Sequence, residues 1–94
     1  MMLLVIYDIS SNEKRLKMSK ALMQEGLSRI QKSAFVGRAG SALFREIEVK
    51  ARSIVDEKTD IVHMVRVSEL EWNGTKIIGR GVNAKKGLGW DLVY

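Results

Sequence analysis

Residues 2 to 8 read MLLVIYD, six apolar residues followed by a carboxylate. A strand wetted on one face alternates apolar and polar positions, whereas a strand covered on both faces runs apolar throughout. A chain carrying this run must place it centrally in a sheet and find cover for both of its faces. The run also stops at Asp8, whose ionised oxygens cannot stay buried without a partner. The strand therefore has to leave the sheet there and present the carboxylate at the rim. Ninety-four residues make one domain, and a chain of that size buries only about 60 to 65 % of its unfolded surface. Its core is thin, and a second subunit would thicken it.

Beyond the first strand, Ser10, Ser11 and Asn12 offer helix-capping groups, Glu13 follows in the first turn, and Met18, Ala21 and Leu22 recur at helical spacing. The pattern predicts a helix over 12–25, closed by Gly26 in a left-handed conformation. Residues 27–39, LSRIQKSAFVGRA, have an approximate two-residue period and suit two short strands. Gly40 and Ser41 open a second helix with an apolar stripe of Leu43, Phe44, Ile47, Ala51, Ile54 and Val55. DIVHMVRV, 60–67, is a strand, and EWNGTKIIGRG reads as a turn at Asn73 and Gly74 followed by a strand over 75–79. From residue 82 onward, Lys85, Lys86, Gly87 and Gly89 suggest a mobile arm, while WDLVY suits a further strand. The order β-α-β-β-α-β, taken with the rule for right-handed crossovers, predicts an α+β ferredoxin-like sandwich over 1–81 with an added C-terminal segment, 82–94. Both helices then lie on one face of the sheet. The other face is bare, and because the first strand is apolar on both sides, a second copy of the chain is its expected cover: a homodimer packed through the sheets.

Composition narrows the chemistry. There is no cysteine and one histidine, His63, so disulfides, thiolate metal sites and a histidine pair within one chain are excluded, and zinc is disfavoured. His63 falls in the 60–67 strand, where a half-buried structural histidine is expected. No apolar stretch approaches the roughly 20 residues of a membrane span, and the expected location is the cytoplasm. The formal charge of +5 is uneven, with nine of the sixteen Lys and Arg but five of the eleven acids in residues 1–50. A positive field concentrated on one region favours a polyanionic partner such as nucleic acid.

Asp8 has two readings from its residue type: a local turn or cap for the first helix, or a ligand for Mg2+, which takes one or two protein carboxylates and bridges to phosphate oxygens. One Asp is a poor site, but a two-fold axis between facing sheets would bring two together. Arg15, Lys17, Arg29, Lys32 and Arg38 are candidate phosphate contacts, since in this topology the start of the first helix and the neighbouring strands can share one end of the sheet. Guanidinium groups grip phosphate through a two-point fork, whereas lysines commonly just solvate a helix face. The glycines match no phosphate-binding loop and serve turns.

VIYDIS, a basic helix start, and then GLSRIQKSAFVG resemble, in order and register, the small CRISPR-associated nuclease-like protein family of the spacer-acquisition machinery. The family pattern falls on Tyr7, Asp8, Ile9 and Ser10, on Arg15 and Lys17, and on Gly26, Arg29, Ile30, Gln31, Ser33 and Phe35. The likeness is close over 3–40 and thereafter extends to length and element order. It implies a ferredoxin-like homodimer with its two Asp8 carboxylates across a cleft, and Mg2+-dependent cleavage of single-stranded RNA or duplex DNA. Asp8 would be the metal ligand, Arg15, Arg29 and Phe35 would contribute to catalysis, and Ser10 would make a secondary contact to nucleic acid. The same resemblance allows a non-catalytic role, as the duplex-binding adaptor of a complex with a companion CRISPR integrase. It also suits WDLVY to a strand added to the second copy's sheet. Here Lys17 stands where several members carry arginine, Ala34 replaces a usual valine, and Val36 and Gly37 follow Phe35. A reading outside the family is a single-strand RNA-binding module of the same topology, in which KSAFVG would be the binding strand. It has only Phe35 where such modules use two or three stacking aromatics.

Overall fold

The apolar run forms a strand, β1 (Met2–Asp8), and three others follow along the chain: β2 (Ser28–Gln31), β3 (Ala34–Arg38) and β4 (Ile61–Val67). They make one sheet of order β2-β3-β1-β4 in which every neighbouring pair is antiparallel, so β1 is interior as its composition requires. The structure, a computed structural model, describes residues 1–79; the expected arm over 82–94 lies outside the described residues. Helices α1 (Asn12–Gln24) and α2 (Ser41–Ile54) complete the ferredoxin-like order.

The boundaries have local causes. Of the three possible caps, Ser11 is the one used: its hydroxyl accepts the Lys14 amide at 3.2 Å. At the other end of α1, Gly26 takes a φ of +91°, which costs a glycine little. There the Gly26 amide donates to the Met23 carbonyl at 3.0 Å and the Leu27 amide to that of Leu22 at 3.1 Å. Leu22 and Leu27 are both buried, completing the usual apolar contact of this helix ending. Gly37 in β3 is needed for a close approach, since a Cβ there would lie 3.1 Å from Leu27 Cγ and 3.2 Å from its Cα.

Alternation along β1 sends Leu3, Val5 and Tyr7 to the helix side, where they join Met18 and Leu22 of α1, Ile47 and Ala51 of α2, and Phe35 of β3 in one core. An ion pair between Lys50 of α2 and Glu25 at the end of α1 ties the helices together, and the Glu25 carboxylate raises the Lys50 pKa. On the opposite face the register aligns Met2, Leu4, Ile6 and Asp8 with Ala34, Val36 and Arg38 of β3 and with Ile61, His63, Val65 and Val67 of β4. Ile6, Ile61 and Val65 are 41 %, 52 % and 40 % exposed, so the bare apolar face inferred from the sequence is present. His63 lies on it and is exposed, not half-buried as expected from its strand.

The expected strand over 75–79 does not form among the described residues; a short helix, α3 (Glu69–Asn73), precedes this stretch instead. The helix starts at a cap in SELE. The Ser68 hydroxyl accepts the Glu71 amide at 3.0 Å and donates to the Glu71 carboxylate at 3.0 Å, a variant of the Ser-x-x-Glu box that starts helices. Gly74, read as part of a turn, closes this helix.

Phe35 is the largest side chain with no exposed surface. Phe35→Ala is expected to cost about 3–5 kcal/mol, the usual range for emptying such a site. Denaturant unfolding of the variant measures it, and Phe35→Leu should cost markedly less.

Candidate functional site

The site is built where β1 ends. Asp8 is exposed and stands opposite Ile61, the last pair of the β1–β4 seam. Ile9 then turns back into the core at 1 % exposure, which anchors the chain directly behind the carboxylate. Two side chains hold the turn that follows. Arg15 reaches back from α1, its Nη1 donating to the carbonyls of Ile9 at 2.8 Å and Ser10 at 3.4 Å. From β4's side, Asp60 Oδ1 accepts both the amide and the hydroxyl of Ser10 at 3.1 Å.

Asp60 was not singled out by its sequence context. It also accepts the Asp56 amide on Oδ2 at 2.9 Å and the Thr59 hydroxyl on Oδ1 at 3.0 Å. The backbone amides of Asp56 and Ser10 hold its carboxyl pKa down at about 2, against an ordinary 3.8, because each donor favours the ionised form. The acid preceding a strand is visible in the sequence, but its partner Ser10 is fifty positions away, and no local pattern joins the two.

The candidate residues separate into groups. Asp8, Ser10 and Arg15 lie together at the rim. Lys32 joins that end, because the neighbouring Ser33 carbonyl accepts the Tyr7 amide at 3.0 Å. Arg29 pairs in register with Phe35, on the helix side of the sheet. Its guanidinium carbon lies 5.1 Å from the Phe35 ring centre, and that ring stacks on Tyr7 at 6.3 Å. Lys17 is exposed on α1. Arg38 pairs with Met2 at the far end of β1, roughly 20 Å from Asp8 at about 3.3 Å per residue. There it makes an ion pair of 3.2 Å with Glu69.

These positions decide some chemistry. Phe35 has 0 % exposure and faces the helices, so it cannot stack on a base; the reading as a single-strand RNA-binding module fails. Among the described residues no group of three or more His or acidic side chains is arranged to hold a metal ion. Asp60 is engaged in four hydrogen bonds within the protein, and Asp8 is the exposed hard oxygen donor at the end of β1. That donor suits Mg2+, but one chain supplies too few ligands to hold it alone. A cleft of about 430 Å³ between α2 and β4, lined by Phe44, Ala51, Val62 and Met64, reaches Asp60 and Ile61 at its end nearest the rim.

A four-stranded antiparallel sheet, two helices on one face and a lone acid at the end of an interior strand define a small ferredoxin-like protein with a rim carboxylate. The family model for CRISPR associated protein Cas2 matches residues 1–75. The CRISPR-associated endoribonuclease Cas2 of Aeropyrum pernix is 35 % identical over 89 residues, which cover 95 % of this chain and 86 % of the relative. A CRISPR-associated endonuclease Cas1/endonuclease Cas2 fusion of Thermoproteus tenax is 44 % identical over 62 residues, 65 % of this chain and 24 % of the fusion. The chain thus matches about a quarter of that relative's length. The crystal structure of Streptococcus pyogenes Cas2 superposes with a TM-score of 0.76 at 26 % identity, over 84 % of this chain and 100 % of that one. The chain belongs to the Cas2 family of CRISPR-associated proteins.

A carboxyl with a depressed pKa contributes stability that is present above its ordinary pKa and lost as pH falls through the depressed one. For Asp60 the window runs from pH 3.8 down to about 2. Denaturation measured between pH 5 and pH 2 should show the wild type losing this contribution across the window. Asp60→Ala, less stable at pH 5, should show a correspondingly shallower decline.

Proposed function

We propose that the protein is a homodimeric, Mg2+-dependent endonuclease of CRISPR spacer acquisition, with Asp8 as its metal ligand. The observation that carries the reading is the placement of an exposed Asp8 on the same sheet face as the bare apolar patch of Ile6, Ile61 and Val65. Covering that patch with a second copy, on a two-fold axis running between the sheets along β1, sets two Asp8 carboxylates at one shared end. Two carboxylates supply what one chain lacks. The name of the Aeropyrum relative, an endoribonuclease, favours single-stranded RNA as substrate, with duplex DNA as the alternative. The name of the Thermoproteus relative, a fusion of Cas1 with Cas2, supports a companion Cas1 integrase as partner.

When bound, Mg2+ supplies positive charge beside the phosphate and a water acidic enough to attack phosphorus. The chain's own residues do the rest. Asp8, exposed at the end of β1, would provide the oxygen ligands. Arg15 uses Nη1 on the Ile9 and Ser10 carbonyls, and the other edge of its fork offsets charge developing on the phosphate oxygens. Lys32 and Lys17 hold flanking phosphates by charge, independent of base identity. Arg29, seated on Phe35 on the helix side of the sheet, adds positive charge level with the middle of β1. Arg38, at the far end, contacts a more distant stretch of backbone.

A second reading is favoured by the shortage of grouped metal ligands among the described residues: a non-catalytic adaptor whose basic rim grips duplex phosphates beside the integrase. The two are separated by assaying binding and cleavage together, on labelled single-stranded RNA and duplex DNA, with and without Mg2+. As an endonuclease the wild type cleaves in Mg2+, and Asp8→Asn lowers kcat at least about 100-fold, the low end for one positioned catalytic group, with the dimer intact. Cleavage that survives both Asp8→Asn and chelation rules the mechanism out. Binding that falls steeply with salt, ignores Asp8→Asn and is never followed by cleavage establishes the adaptor.

The dimer has its own test. Ile6→Glu places a charge on the open face without touching the helix-side core, and sedimentation should find a monomer that has lost cleavage. A variant that remains dimeric would show that the chains meet elsewhere.

A further inference from the structure

We propose that Asp60 is a positioning residue for Asp8, holding the turn after β1 so that the rim carboxylate keeps one direction. The proposal rests on the endonuclease reading above, in which that direction matters. Backbone pairing between β1 and β4 ends at Asp8 and Ile61. The next link across the seam is made by a side chain: Asp60, immediately before Ile61, takes the amide and hydroxyl of Ser10, two residues beyond Asp8. The seam is thus extended past its last backbone pair, on the far side of the catalytic position.

The grip is rigid because the α2–β4 loop is itself braced. The Asp56 carbonyl accepts the amides of Thr59 at 3.0 Å and Asp60 at 2.8 Å, and the Asp56 carboxylate accepts the Lys58 amide at 3.0 Å. Arg15 holds the same turn through the Ile9 and Ser10 carbonyls. The turn is therefore clamped by a cation on its acceptors and an anion on its donors. Of the two clamps, Arg15 faces the substrate in the reading above, whereas Asp60 directs Oδ1 to three donors and Oδ2 to one, all of them groups of the protein that fix the turn. The amide and hydroxyl donors of Ser10 are spent in the same way, so Ser10 serves the clamp instead of donating to a phosphate.

Loss of Asp60 frees the exposed end of the turn and leaves Arg15, Lys17 and Lys32 in place to bind nucleic acid. The cost falls on turnover, not on affinity. For the full-length protein with labelled RNA in Mg2+, Asp60→Ala is expected to lower kcat roughly 30-fold with KM within about twofold, since small misplacements of a reacting group cost that much or more. Asp60→Asn keeps an oxygen for Ser10 and loses the acceptor for Asp56, so its loss of kcat should be only about threefold. Amide exchange at Ser10 should speed up at least tenfold in Asp60→Ala and far less in Asp60→Asn, about the factor expected for losing one protecting bond. Melting of both variants reports that each is folded at the assay temperature.

Three results overturn the proposal: wild-type kcat in Asp60→Ala; Asp60→Asn falling as far as Asp60→Ala, which assigns the effect to charge; or a raised KM at constant kcat, which makes Asp60 a substrate contact. If the wild type cleaves no better than Asp8→Asn, the endonuclease reading fails by itself. The positioning role is then decided by the Asp8 carboxyl carbon resonance, which should shift and broaden in Asp60→Ala; an unchanged signal refutes it.

Discussion

The structure depends on β1 being apolar along both faces while ending in an acid. Leu3, Val5 and Tyr7 fill the helix-side core, and Met2, Leu4 and Ile6 face the other way. A strand of this composition is stable only in the interior of a sheet, so β3 and β4 flank it and β2 is pushed to the edge. Asp8, next after Ile6 on the open face, is exposed and is the last residue of β1 paired with β4, so it marks the point at which the chain leaves the sheet. The fold and the location of the rim site thus have the same cause.

The sheet also acts as a partition. Asp8 belongs to the open face, while Arg29 and Phe35 belong to the helix side. Side chains from the two faces approach one another only at a strand end, where no backbone intervenes. This gives physical content to the family block GLSRIQKSAFVG. Gly26 ends α1 in a conformation suited to glycine, and Phe35 fills the core beneath the Arg29 guanidinium. The phenylalanine supports the Arg29 guanidinium; it has no exposed surface with which to touch a substrate.

The two residues after Asp8 convert a strand end into a defined site. Ile9 is drawn into the core, and Ser10 is held across the seam while Arg15 takes the carbonyls. An exposed acid on an unclamped turn would sample many directions, and ordering it at the moment of reaction would cost conformational entropy. Here the ordering is achieved on folding, by groups recruited from α1 and from the loop before β4. The open apolar face remains the part of the domain with least internal support, which fits the thin core of a chain this short.

Much of this was legible locally. The interior position of β1, both ends of α1, the apolar stripe of α2 and the rim position of Asp8 follow from interactions between residues a few positions apart, and the sequence displays those directly. The Ser68-x-x-Glu71 cap is equally local and starts α3, whereas the strand expected over 75–79 does not form among the described residues. What the chain order could not determine was which distant groups meet. Arg38 shares β3 with Phe35, yet strand direction carries it to the far end, beside Glu69. Asp60 meets Ser10 across fifty positions because β4 pairs with β1 in one register. Composition and spacing determined the elements and the acid at the rim; the partners that orient that acid were decided only by the tertiary structure, since register and strand direction are properties of the assembled sheet.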